Sequence, residues 1–86
     1  MNKITLSEKQ RKNLETSAKK ILGQLNNVIA QIQNDKISEA TFIQMLAIKG
    51  GSTRICKDII SQGVIPNMDK YSPKAIDRAL DLIFKL

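Results

Sequence analysis

Leu14, Ala18, Ile21, Leu25, Val28 and Ile32 recur at steps of four and three, and no proline interrupts the chain until residue 66. That spacing draws one apolar stripe along a single helix, which runs to the turn-forming Asn34-Asp35-Lys36. Thr5-Leu6-Ser7-Glu8 fits the Ser/Thr-x-x-Glu capping box, so the helix is expected to start near Leu6. At 1.5 Å per residue such a helix is about 40 Å long. One short partner cannot cover it, so the chain must fold back on itself and associate with another copy.

Ser38 stands just before a second periodic segment and is the expected N-cap of helix 2, a structural role that needs no sensing chemistry. Phe42, Met45, Leu46, Ile48, Ile55, Cys56, Ile59 and Ile60 spread over about half the helical wheel, so this helix is expected to be buried from two sides. Gly50-Gly51 costs about 2 kcal/mol relative to two alanines inside a helix. The apolar pattern resumes in phase beyond it, so the helix is expected to continue, with the glycines admitting a close neighbour. Lys49 falls inside the apolar arc and must snorkel, pair, or face a groove at a subunit boundary. Gly63 followed by Pro66 predicts a stop near Gln62, with Gly63 in the left-handed conformation. Residues 64–71 read as a loop, and Ser72-Pro73 as the N-cap and first position of a third helix with Ile76, Ala79, Leu80, Ile83 and Phe84 on its packing face.

The reading is all-α, with helices over about residues 6–34, 38–62 and 73–85 in one domain, 1–86. Aromatic side chains are limited to Phe42, Tyr71 and Phe84, which suits helix packing better than a sandwich or barrel. A chain of 86 residues has a marginal core of its own. Two open hairpins packed antiparallel close into a four-helix bundle, with helix 3 covering an edge or joining dimers into a dimer of dimers.

No apolar run approaches the length of a membrane span, and Met1-Asn2-Lys3-Ile4 lacks a signal-peptide pattern. A cytoplasmic protein without membrane contact is therefore expected. The single cysteine, Cys56, has no intramolecular partner and is expected in the core among Ile55, Ile59 and Ile60. Net charge is +6, with +4 in residues 1–20 and +3 in residues 49–57, and the rest near neutral. A basic end on a neutral chain fits a polyanion such as nucleic acid, or an ordinary solvated surface. Lys9, Lys12, Lys19 and Lys20 fall roughly opposite the apolar stripe, as a phosphate-binding strip requires.

Lys20-Ile21-Leu22-Gly23-Gln24, the turn at 34–36, Gln44, Ala47-Ile48-Lys49-Gly50 and Ile59-Ile60 carry a resemblance that covers nearly the whole chain. In these positions it resembles the small all-helical bacterial transcriptional repressors that sense copper, nickel or cobalt, persulfide, or formaldehyde. The resemblance implies a tetramer that binds double-stranded DNA through basic faces of helices 1 and 2, with Lys20, Lys49 and Gln24 at the family's DNA-contacting positions. Lys12 and Lys19 are added from the helical wheel. Ser17 replaces an arginine common in the family, which removes a bidentate phosphate donor.

By the same resemblance the effector positions fall on Ser38, Gly63 and Asn67. None is a usual transition-metal ligand and the chain has no histidine, so no metal or cofactor is expected and the effector is altered or absent. Cys56, Met45 and Met68 are the remaining soft donors. An enzyme is not expected, because no base-activated nucleophile is recognisable, and Asp77 and Asp81 read as surface charges beside Lys74, Arg78 and Lys85. The competing reading is a helical oligomerisation or adaptor protein that keeps the fold without binding an operator.

Overall fold

Ser7 opens the first helix of the computed structural model, which describes residues 3–86. Met1 and Asn2, half of the start read above for a signal peptide, lie outside the described residues. The Ser7 hydroxyl accepts from the Gln10 amide at 3.1 Å, and the Gln10 side chain accepts from the Ser7 amide at 3.0 Å. This capping box lies two residues beyond the expected one at Thr5. Ser7-x-x-Gln10 satisfies the same two donors, and it leaves Ile4 and Leu6 outside the helix as a short half-buried arm.

Helix α1 (Glu8–Gln33) ends at Asn34 in a Schellman motif. The Lys36 amide donates to Gln31 O at 2.8 Å and the Asp35 amide to Ile32 O at 3.2 Å. Asp35 sits at the left-handed position with φ 53°. Aspartate tolerates that region less well than glycine. Asp35→Gly is therefore expected to stabilise the fold by up to about 1 kcal/mol, read as a higher urea midpoint at unchanged slope; a lower midpoint would show that the Asp35 side chain matters more than its backbone.

Ser38 is the N-cap of α2 (Glu39–Ile59), as expected. Thr41 Oγ1 accepts from the Ser38 amide at 3.0 Å and donates to Gln31 Oε1, while Gln31 Nε2 donates to Gln44 Oε1 at 3.1 Å. This chain of hydrogen bonds joins the two helices beside the turn and satisfies the buried Thr41 hydroxyl. The helix passes through Gly50-Gly51 unbroken. A Cβ at Gly51 would stand 3.2 Å from Ile21 Cδ1, whereas one at Gly50 would meet nothing within 4 Å. Only Gly51 admits the close approach of α1.

The end of α2 differs from the expected stop. Beyond Ile59 the chain coils on through a π-turn at Ile60–Val64 and 3-10 turns over Ile65–Lys70 that are kinked at the non-helical Asn67 (φ −119°, ψ 22°), where a loop was expected, and no glycine has positive φ. Pro66 has no N–H to give and its ring crowds the preceding turn, so the helix widens and the Ile65 amide bonds Ile60 O instead. Gly63 is buried, and a Cβ there would overlap Ile4 Cγ2 and stand 3.1 Å from Leu6 Cδ2. Its smallness seats the N-terminal arm; left-handed freedom is not used. Gly63→Ala is expected to destabilise the protein by about 1–3 kcal/mol, with Ile4→Ala recovering most of the loss in a double-mutant cycle. Additive effects of the two substitutions would contradict the packing described.

Ser72 and Pro73 start α3 (Pro73–Ile83) as expected, the Ser72 hydroxyl accepting from the Ala75 amide at 3.2 Å. The helix closes two residues before the expected end. Three α-helices in an all-α chain are thus in place, with no strand among the described residues. None is long and apolar enough to cross a membrane.

The molecule measures 50 × 27 × 15 Å. The α1–α2 hairpin leaves large apolar side chains of both helices uncovered, among them Leu22 and Ile29 of α1 and Phe42 and Leu46 of α2. Domains bury their apolar faces between two layers. Here the buried apolar residues are Val28, Ile48, Val64 and Ala79, and no large side chain is fully buried. Two expectations change accordingly. Helix α2 is buried on the side facing α1, while Phe42, Ile43, Met45 and Leu46 on its other sides are exposed. Cys56 is exposed as well, in an open apolar recess with Ile4, Ile59, Leu82 and Leu86.

Candidate nucleic-acid interface

Gly51 brings α2 close to Ile21, and along that seam one side of the α1–α2 hairpin forms an open groove of about 620 Å³. From α1 it takes Asn13, Ser17, Lys20 and Gln24, one stripe at steps of four and three. From α2 it takes Ala47, Gly51, Arg54 and Asp58, and from the π-turn that follows Gln62, again at helical spacing. Two cations, one carboxylate and four neutral hydrogen-bonding side chains thus share a surface open to solvent. Such a set can hold phosphate oxygens through Lys20 and Arg54 while the amides and hydroxyl supply further polar contacts.

The hairpin brings the expected DNA-contacting residues to three places. Lys20 and Gln24 line the groove. Lys12 and Lys19 occupy a neighbouring stripe of α1, where Lys12 Nζ lies 3.4 Å from Glu8 and Lys19 Nζ 3.1 Å from Glu15. Both pairs are exposed and four residues apart, so each contributes only a few tenths of a kcal/mol. They still offset much of the free positive charge of that stripe. Lys49 is exposed but does not line the groove. Five residues before Arg54, it is turned about 140° away at 100° per residue, towards Met45 and Phe42.

Arg54 is the groove cation that the sequence reading counted by charge alone. Its position could have been read from the hairpin: if Ile21 packs on Gly51, the residue three further along α2 must flank Lys20 and Ser17. Ser17, standing where the family resemblance places an arginine, turns its hydroxyl back to Asn13 O at 3.1 Å. Arg54 places a guanidinium in the same groove as Ser17.

The effector positions are not assembled within one chain. Ser38 opens α2 whereas Gly63 and Asn67 follow its far end, about 30 Å away at the rise of a helix. Asn67 Nδ2 donates to Gly63 O at 2.9 Å, which ties the π-turn to the 3-10 segment. Among the described residues no three His, Cys, Asp or Glu side chains cluster as a metal site. The soft donors are also apart: Cys56 and Met68 line different recesses, and Met45 lies eleven residues before Cys56 on α2. Asp77 and Asp81 are exposed on α3. No protein family, curated protein or solved structure matches this chain.

Proposed function

We propose that the protein is a DNA-binding transcriptional regulator, a repressor by its family resemblance, that works as a self-associated helical bundle and has an altered or absent effector site. The observation that carries the reading is the placement of Lys20 and Arg54, from different helices, in one open groove with Asn13, Ser17, Gln24 and Gln62. Two exposed cations flanked by neutral polar side chains suit a sugar-phosphate backbone.

The uncovered apolar side of the hairpin supports the assembly. On the helical wheel Leu22 and Ile29 of α1, and Met45 and Phe42 of α2, fall on the side of the hairpin away from the groove, and all four are exposed. A second copy packed antiparallel on that side covers it and leaves a groove on each outer face. Two such dimers make the homotetramer that the resemblance implies. Met45, Phe42 and Leu46 lead along α2 to Lys49, which then sits at the subunit boundary with its stem against apolar neighbours.

The ion pairs Glu8–Lys12 and Glu15–Lys19 favour a second reading, an adaptor that keeps the assembly and has no operator. Nuclease protection of the DNA flanking its own gene separates the two. A regulator protects a discrete segment; an adaptor self-associates and protects none.

A further inference from the structure

A carboxylate is out of place in a groove that suits phosphates, and Asp58 puts one there between Arg54 and Gln62. Three local circumstances weigh against it. The residue is half-buried, which strips water from its charge. It stands in the last turn of α2, the end of a helix that favours cations such as the neighbouring Lys57. No cation offsets it, since the ion pairs among the described residues are Glu8–Lys12 and Glu15–Lys19.

Nearby donors are also turned elsewhere. Ser61 donates to the Asp58 backbone oxygen and not to its carboxylate. In the antiparallel register that the Gln31–Gln44 bond sets, Arg54 stands level with Lys20, and Asp58, one turn further on, stands level with Ser17. The Ser17 hydroxyl is given to Asn13 O. A residue that breaks local rules without local compensation marks a place where function sets the choice.

A carboxylate accepts hydrogen bonds and repels phosphate, so against a duplex it needs a donor on a base. The major groove offers the amino groups of adenine and cytosine. Adenine's lies between two acceptors, its own N7 and thymine O4, which repel an anion on either side. Cytosine's lies at the end of the G·C edge, with guanine O6 on one side only.

We infer that Asp58 is the specificity-determining residue of the groove, its carboxylate accepting from the N4 amino group of a cytosine while Lys20 and Arg54 hold phosphates beside it. The inference rests on the DNA-binding reading above and narrows it from a polymer to a base. Away from that cytosine the same carboxylate meets phosphates or acceptor edges, so one residue rewards the operator and penalises other sequences.

The test pairs protein variants with base changes. Fluorescence anisotropy compares the unmodified protein, Asp58→Ala and Asp58→Asn on the duplex flanking its own gene, on copies in which each G·C or A·T pair in turn is exchanged for the other, and on a scrambled duplex. Circular dichroism checks that each protein is helical. Exchange of one G·C pair is expected to weaken the unmodified protein by about 10- to 100-fold and Asp58→Ala by less than about 2-fold, all other exchanges costing both proteins alike. On the scrambled duplex Asp58→Ala is expected to bind about 10-fold tighter at low salt, because the repelling charge is gone. Should the alanine variant unfold, Asp58→Asn keeps the shape without the charge, and it is expected to trade the cytosine preference for adenine, which an amide reads through N6 and N7.

Equal base costs in all three proteins, or equal binding of the flanking and scrambled duplexes, overturn the assignment of Asp58 and leave DNA binding by the groove standing. A cost that Asp58→Ala removes at an A·T pair overturns the choice of cytosine. If the unmodified protein binds none of the duplexes, the DNA-binding reading itself fails and the role of Asp58 falls with it.

Discussion

Phe42→Glu is expected to raise the dissociation constant of the proposed α1–α2 dimer by on the order of 10³-fold or more. Phe42 is 65% exposed in the single chain, beside Met45 and Leu46, and on the side of the hairpin away from the groove. Burying a phenylalanine contributes about 2–3 kcal/mol, and a twofold interface contains the residue twice. At about 1.4 kcal/mol per tenfold, losing both accounts for roughly 10³ before any cost of burying the carboxylates. Sedimentation equilibrium over a wide concentration range measures the change. An unaltered constant would place the interface elsewhere and leave the exposed apolar face unexplained.

The second large effect concerns the groove. Lys20→Glu combined with Arg54→Glu is expected to weaken DNA binding by on the order of 10³-fold or more, because each dimer loses four cations and gains four repulsive charges. Both side chains face an open surface, so helicity and the unfolding midpoint should change little. Lys12→Gln with Lys19→Gln should cost only about 10-fold, since Glu8 and Glu15 already hold those ammonium groups. Fluorescence anisotropy of a labelled duplex reads both. If the Lys12 and Lys19 pair proved the more damaging, the outer stripe of α1 would replace the groove as the contact surface.

The periodic segments were legible in the sequence because a helix's apolar spacing is a local property. The long α1, the N-caps at Ser38 and Ser72, and the passage of α2 through Gly50-Gly51 all follow from it. The miss at Thr5 arose where two capping patterns overlap, and starting at Ser7 leaves Ile4 and Leu6 free to pack over Gly63, which is far away in the sequence. That same tertiary contact decided Gly63, whose sequence context, with Pro66 close behind, reads as a left-handed stop. Pro66 instead produced the widened turn, a response that depends on what the freed carbonyls can find nearby.

The site divided along similar lines. Lys20 and Gln24 share a stripe that any helical wheel shows, but grouping them with Arg54 requires knowing which residue of α2 Ile21 touches. Lys12 and Lys19 looked like free positive charge because the wheel was drawn for the cations; adding Glu8 and Glu15 to the same stripe makes the pairs visible. The exposure of Cys56 was out of reach for a different reason. Burial tendencies assume a closed core, and this chain leaves much of its apolar surface uncovered.

The most direct test of DNA regulation through the Lys20–Arg54 groove is the affinity of the unmodified protein for the duplex flanking its own gene, titrated from low to physiological salt. With four groove cations per dimer on phosphates, the logarithm of the association constant should fall against the logarithm of salt with a slope of about −4. Failure to bind that duplex at low salt, or binding indifferent to salt, would contradict the account.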